Sequence, residues 1–231
     1  MKIVVSKEPP KGFDISVTVP SGYPEEVLAS DLSQKIESHL DLPHEARIQV
    51  WLENARASDA QLLDALNFAP YRDLLQMRCS LPVSLEGIET RPFLRGRDEV
   101  SFLKVNERAF RWHPEQGALS IENLENLFKE SWFEEEGFLL YEIEEKLAGF
   151  CWTKIHTAPP ENMGEIYAIA VDPDFHGQGI GAPLTISGLH YLANKGISLG
   201  MLYVESDNLP AIRIYEKIGF SVHSVNRAFH N

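Results

Sequence analysis

The residues of this chain whose types and spacing could do chemistry are glycines first. The stretch Ile166-Tyr-Ala-Ile-Ala-Val-Asp-Pro-Asp-Phe-His-Gly-Gln-Gly-Ile-Gly-Ala182 reads as a buried strand, a tight turn and the first turn of a helix. Gly177, Gly179 and Gly181 let the backbone approach an anion with no Cβ in the way. The helix beginning near Ile180 turns unpaired N–H groups and the positive end of its dipole toward the same place. Pro183 is tolerated there, because the N–H it lacks has no intrahelical partner in the first turn. Taken alone, such a turn is either a phosphate cradle or a tight turn that binds nothing. The Walker lysine with its Ser/Thr is missing, and no GxGxxG opens a βαβ unit with an acidic residue downstream, so ATP and NAD are poor candidates.

A second stretch, Leu202-Tyr-Val-Glu-Ser-Asp-Asn-Leu-Pro-Ala-Ile-Arg-Ile-Tyr-Glu-Lys-Ile-Gly-Phe220, follows at a suitable distance. A strand ends at Glu205, and Asn208 is placed to cap a helix with Pro210 in its first turn. Ile212, Tyr215 and Ile218 fall on one face of that helix, and Gly219 ends it. The elements that must hold these stretches are a strand near Ile88 to Phe93, helices at about Asp98 to Phe110 and Ile121 to Ser131, and a hairpin of Phe138 to Glu142 and Leu147 to His156 turning at Glu144-Glu-Lys. A central strand from Glu165 to Val171, the helix to about Asn194, a strand from Met201 to Glu205, the Tyr215 helix and a closing strand from Phe220 complete the order. These make an α/β (mixed α+β) domain, a twisted mixed sheet with helices on both faces.

Before it, residues 1–82 carry the order strand (Phe13 to Val19), helix (Pro24 to Leu40), strand (Arg47 to Leu52), helix (Ser58 to Leu66), strand (Tyr71 to Ser80). This is the order of residues 165–231. Aligning Pro20 with Pro173 sets Tyr23, Pro24, Glu25, Glu26 and Leu28 against His176, Gly177, Gln178, Gly179 and Gly181, so the cradle has lost its glycines and gained two carboxylates. Aligning Phe68 with Phe220 sets Leu63 against Tyr215 and Asn67 against Gly219, and asparagine also tolerates the left-handed conformation that ends a helix. A linker between Cys79 and Thr90 separates two domains, 1–82 and 83–231. The first is a degenerate partial copy without a nucleotide site.

The 231 residues have a formal net charge of −13, which argues against nucleic acid and anionic membrane as partners. No apolar run is long enough to span a bilayer, and no leader segment is read at Met1. Cys79 and Cys151 make no disulfide framework and stand at no metal-ligand spacing; a cytoplasmic chain without a metal is expected. Oligomeric state is left open, a monomer being the simpler expectation.

Val-Asp-Pro, then x-x-Gly-x-Gly-Ala, then Asn-x-x-Ala-x-x-x-Tyr-x-x-x-Gly-Phe, in this order, resembles the acetyl-CoA-binding half of the GCN5-related N-acetyltransferase (GNAT) superfamily. His176 departs from it, standing where the family usually has Gln or Arg. Ala109-Phe-Arg-Trp-His-Pro-Glu-Gln-Gly117, Gly149-Phe-Cys-Trp-Thr-Lys-Ile-His156, Gly164-Glu-Ile-Tyr167, Leu202-Tyr-Val-Glu-Ser-Asp-Asn208 and Leu75-Gln-Met-Arg78 look like mycothiol synthase. That family consists of tandem GNAT proteins with a silent N-terminal domain. The resemblance is strong over residues 88–231 and loose over 13–80, and relative to the family the first half of the N-terminal domain is expected to be missing.

The resemblance implies acetyl-CoA as co-substrate and a small-molecule amine as acceptor, the cysteine amine of cysteinyl-glucosaminyl-inositol. It implies Glu165 as general base and Tyr215 as general acid. Ile169, Ala170 and Val171 would pair with the pantetheine arm, and His176, Gly177, Gln178, Gly179, Ile180, Gly181 and Ala182 would hold the pyrophosphate, with Asn208 and Arg213 as further cofactor contacts. Glu115, Lys154, Glu165 and Tyr203 would touch the acceptor. Read without the resemblance, Glu165 is a strand-end carboxylate, Tyr215 a core aromatic, and Lys154 and Glu115 solvated charges. His113 is taken as structural, and Trp132, Phe133 and Trp152 as core. A GNAT with another amine acceptor and a non-catalytic CoA-binding protein are the competing expectations.

Overall fold

The structure is a computed structural model that describes residues 2–6, 12–38, 46–111, 117, 119–157 and 162–231. In chain order the elements are β1 (Val4–Val5), β2 (Ile15–Val19), α1 (Glu25–Glu37), β3 (Ile48–Leu52), α2 (Ala57–Asp64), β4 (Ala69–Ser80), β5 (Arg91–Pro92), α3 (Glu99–Ala109), α4 (Ile121–Leu127), β6 (Phe138–Ile143), β7 (Lys146–His156), β8 (Met163–Val171), α5 (Gly181–Asn194), β9 (Leu199–Glu205), α6 (Leu209–Ile218) and β10 (Ser221–His230). By contacts they form two compact units. One comprises Met1–Gln76, Val204–Asn208 and Val222–Asn231; the other comprises Met77–Tyr203 and Leu209–Ser221.

In the first unit the strands run β1-β2-β3-β10-β4. Strands β2 and β3 are parallel from Ile15↔Ile48 to Val19↔Leu52, and β10 lies antiparallel to β3 from Arg227↔Leu52 to His230↔Gln49. The apolar alternation of these short strands is spent on a core of Val17, Val50, Leu28, Leu32 and Leu63, to which the final strand adds Phe229. Phe229 and Ala228 are fully buried, and the last ten residues belong to this unit. The contact division thus does not follow a single cut at residues 82/83, because sequence adjacency says nothing about which core a closing strand fills.

In the second unit the strands run β4-β9-β8-β7-β6-β5, antiparallel from β8 to β5 and parallel between β8 and β9. Neighbouring residues of β7 show that both faces are covered. Cys151 Sγ sits where a Cβ on Gly188 of α5 would fall, 2.5 Å from it, while the next side chain, Trp152, meets Phe102 of α3 edge-on at 6.1 Å. The α3 face holds an aromatic core in which Phe138 stacks between Phe93 (4.5 Å) and Trp152 (4.3 Å), with Trp132 and Phe133 partly buried at its margin. The β6–β7 turn forms at Glu144 and Glu145, both at positive φ, as a two-residue hairpin loop requires.

Two elements are shorter than expected. Helix α4 ends at Leu127 rather than near Ser131. The strand expected over Ile88 to Phe93 shrinks to Arg91–Pro92, because Ile88 is held instead by Ser187 of α5, whose Oγ accepts from the Ile88 N–H (2.8 Å) and donates to its carbonyl (2.7 Å).

Candidate active site

Strands β7 and β8 change register between Trp152↔Ala168 and Thr153↔Ile166, so Tyr167 is an extra residue, a β-bulge. The parallel pairing of β8 with β9 runs from Met163↔Leu199 to Ile166↔Leu202 and ends at that bulge. Beyond it Ile169, Ala170 and Val171 are paired with Cys151, Phe150 and Gly149 of β7. A sheet whose parallel pairing stops at a bulge offers strand edges to an extended ligand, which could add itself as a further strand.

Val171 leads through Asp172 and a short 3₁₀ turn (Pro173–Phe175) into the glycines. Gly177 and Gly179 have φ of +78° and +75°, a region closed to most L side chains, and a Cβ on either would meet no atom within 4 Å. Their need for glycine is therefore conformational. Gly181 differs: as the first residue of α5 its φ is negative-handed, and a Cβ there would make an ordinary 3.7 Å contact with Ile214. The first turn of α5 carries no acidic residue, so the positive end of its dipole is not neutralised from within the helix. Gln178 is exposed, while Ile180 is buried beneath the turn.

His176 helps to hold the turn: its Nε2 lies 2.9 Å from the carbonyl of Val171 at the end of β8, and its backbone N–H donates to Pro173 O within the turn at 3.3 Å. The turn is also anchored from α3. Arg108 reaches Asp174 with Nη2 at 2.7 Å and Nη1 at 3.1 Å, and Asp172 at 3.3 Å. This anchor was not read from the sequence, since Arg108 and Asp174 are 66 positions apart.

Glu165 is the third residue of β8 and 7% exposed. It lies opposite Lys154 of β7 and Met201 of β9, and Tyr203, two residues beyond Met201 and half exposed, shares its face by strand alternation. Lys154 Nζ lies over the rings of Trp132 (4.6 Å) and Tyr167 (5.4 Å). The structure thus brings Glu165, Lys154 and Tyr203 to one side of the sheet. Glu115 and His113 lie outside the described residues. The residue that sequence reasoning missed is His156: its Nε2 is 2.7 Å from Glu165 Oε2. The available signal was Lys154-x-His156, two polar residues at strand period opposite a strand that carries a carboxylate.

Tyr215 is buried on α6, beside Phe220 at 5.8 Å. Burial, with Cys151 nearby, pushes its hydroxyl well above the ordinary tyrosine value, so it stays protonated at neutral pH. Burial pushes both cysteine thiols up to about 12, which leaves neither as a nucleophile near neutrality. Arg213 is exposed on α6, and the Asn208 N–H donates to Glu205 O at 3.0 Å in the turn before that helix.

A parallel strand pair that ends at a bulge, followed by a glycine turn at positive φ and an acid-free helix N-terminus, makes an α/β fold suited to an extended, phosphate-bearing ligand. The profile described as "Acetyltransferase (GNAT) family" matches residues 103–220. Among curated proteins, the mycothiol acetyltransferase of Streptomyces griseus is 40% identical over 78% of this chain and 60% of its own length. That of Saccharomonospora viridis is 40% identical over 78% and 63%, and that of Kocuria rhizophila 34% identical over 94% and 75%. The chain thus spans about three fifths of the length of the first of these relatives. Two solved structures share the fold: a GNAT of Sphaerobacter thermophilus (TM-score 0.68, 21% identity, 94% of this chain and 72% of that one) and a tandem GNAT protein from the clavulanic acid pathway (TM-score 0.64, 13% identity, 94% and 74%). The chain belongs to the GNAT acetyltransferase family, and within it to the mycothiol acetyltransferases.

Proposed function

We propose that the chain is an acetyl-CoA-dependent N-acetyltransferase that acetylates the cysteine amine of cysteinyl-glucosaminyl-inositol by direct transfer. The observation that carries this reading is Glu165, a carboxylate almost closed off from solvent, in register with Lys154 and at the point where β8 and β9 cease to pair. The names of the relatives support the choice of acceptor.

The residues fit acetyl-CoA as substrate. The β8 edge from Ile169 to Val171 would take the pantetheine arm as an added strand, with a backbone N–H near Val171 facing the thioester oxygen. Backbone N–H groups from Gly177 to Ala182 would take the pyrophosphate, with His176, Asn208 and Arg213 as further contacts. Glu165 removes a proton from the acceptor ammonium, directly or through water. An α-amino group titrates at about 7.7 to 8.0, so a carboxylate base suffices. The amine nitrogen then bonds to the thioester carbon, and as the carbon–sulfur bond breaks Tyr215 gives its proton to the departing sulfur while the added nitrogen gives up its second proton, through water, to the tyrosinate so formed. With both thiols held protonated, no cysteine serves as an acyl carrier, in accord with transfer within a ternary complex.

Glu115, Lys154 and Tyr203 are proposed acceptor contacts, with Lys154 suited to sugar and inositol hydroxyls. Residues 1–82 are proposed as a degenerate copy that binds no CoA, in a cytoplasmic, monomeric protein with no nucleic-acid or membrane partner. Among the described residues no helix is long and apolar enough to cross a membrane. The test is release of CoA thiol from acetyl-CoA with and without cysteinyl-glucosaminyl-inositol, with the product weighed by mass spectrometry. Acceptor-dependent release with acetyl on nitrogen is expected; turnover on a peptide or polyamine alone would replace the acceptor.

A further inference from the structure

We infer that His156 is the positioning residue of the reaction: its Nε2–H holds one oxygen of Glu165 so that the other faces the amine. This rests on the reading of Glu165 as the base. His156 and Glu165 stand on adjacent antiparallel strands as a diagonal pair on one face, His156 opposite Met163 and Glu165 opposite Lys154. Both side chains are carried by paired backbone, so the 2.7 Å contact between Nε2 and Oε2 is built into the sheet.

Among the described residues, the neighbouring ionisable groups do not take this role. Lys154, the cross-strand partner of Glu165, has its ammonium over the Trp132 and Tyr167 rings. Tyr167 is kept protonated by burial first, then by the negative potential of Glu165 and of Glu130. Met163, opposite His156, cannot ionise. The side chain of His156 is 29% exposed against 10% for that of Glu165, so water reaches the ring more readily than the carboxylate.

The experiment compares His156→Gln, His156→Ala and Glu165→Gln. Glutamine sets an amide N–H close to where the ring carries Nε2, so His156→Gln is expected to keep kcat within about threefold. His156→Ala is expected to lower kcat about 10- to 100-fold, the cost of a misplaced catalytic group, with KM for acetyl-CoA unchanged. The Nε2–H resonance of His156, followed by NMR, should move upfield in Glu165→Gln as the charged acceptor is lost, a readout that needs no turnover. Wild-type kcat in His156→Ala, with Glu165→Gln slow, overturns the role of His156 alone. Wild-type kcat in Glu165→Gln removes the base assignment and this inference with it. An unchanged Nε2–H resonance in that variant overturns the contact. Calorimetric binding of acetyl-CoA to each variant separates a lost fold from a lost step.

Discussion

The run β2-α1-β3-α2-β4 and the run β8-α5-β9-α6-β10 share an order and differ at the two places where chemistry would occur. Their helix ends match: the Phe68 N–H donates to Leu63 O at 2.9 Å and the Phe220 N–H to Tyr215 O at 3.0 Å, with Asn67 at φ +63° and Gly219 at φ +114° making the left-handed turn between. The strand pairs differ. β2 and β3 pair over their whole length to Val19↔Leu52, and the Glu53 N–H continues the ladder to Val19 O, whereas β8 and β9 stop at the Tyr167 bulge. The turns differ too. The N-terminal turn spends a backbone donor on the protein itself, the Ser21 N–H going to the Glu53 carboxylate at 3.2 Å, and α1 opens with Glu25 and Glu26. A cavity of about 90 Å³ remains there, lined by Gly22, Tyr23, Glu53 and Arg56, against the several hundred Å³ of ordinary ligand sites. Topology alone therefore does not make a nucleotide site. The second run keeps an interrupted strand pair and an uncommitted helix N-terminus, and these differences support reading the first run as silent.

The strongest way to break the comparison is at the reacting groups. Glu165→Gln and Tyr215→Phe should each lower kcat about 10²- to 10³-fold, within the range of general acid–base catalysis, with acetyl-CoA binding retained. Leu63→Tyr, the counterpart in the first run, should leave kcat unaltered per folded molecule; steady-state rates at matched folded fraction decide. Next is Phe229→Ala, which should cost about 3 to 5 kcal/mol in denaturant unfolding, because a fully buried ring supplied by the last strand is removed from the first unit's core.

A smaller effect separates the two turns. Gly177→Ala places a Cβ at φ +78° and should raise KM for acetyl-CoA about tenfold, while Gly22→Ala, at φ +75°, should cost about 1 kcal/mol of stability and leave that KM alone. Titration calorimetry should find a single acetyl-CoA per chain; a second would end the claim that the first run is silent. The smallest effect is one of pH. Burial keeps Tyr215 protonated beyond the ordinary tyrosine value of about 10, so loss of the acid should not depress kcat until above that pH. An alkaline decline centred near 10 that vanishes in Tyr215→Phe would contradict this.

Much of this was legible because it is local. The Ile166 to Val171 strand, the glycine turn, the acid-free start of α5, the Glu144–Glu145 hairpin and the helix endings at Asn67 and Gly219 follow from residue types within a few positions of each other, where backbone sterics and hydrogen bonding set the conformation. Less legible was anything decided by a partner far along the chain. His156 joins Glu165 only because the hairpin returns in a particular register, and the register itself slips at Tyr167, which no local property of Tyr167 announces. Arg108 finds Asp172 and Asp174 through helix packing.

By itself, then, the sequence determined the order of elements, the cradle's backbone and the residue types able to take and give a proton. The tertiary structure alone decided where β8 and β9 part, which imidazole meets Glu165, that Ile88 binds Ser187 rather than extending a strand, and that Phe229 completes the core of the first unit. Backbone conformation answers to neighbours within a turn or two, while register and burial are settled by competition among all the strands and faces that could satisfy the same apolar and hydrogen-bonding groups.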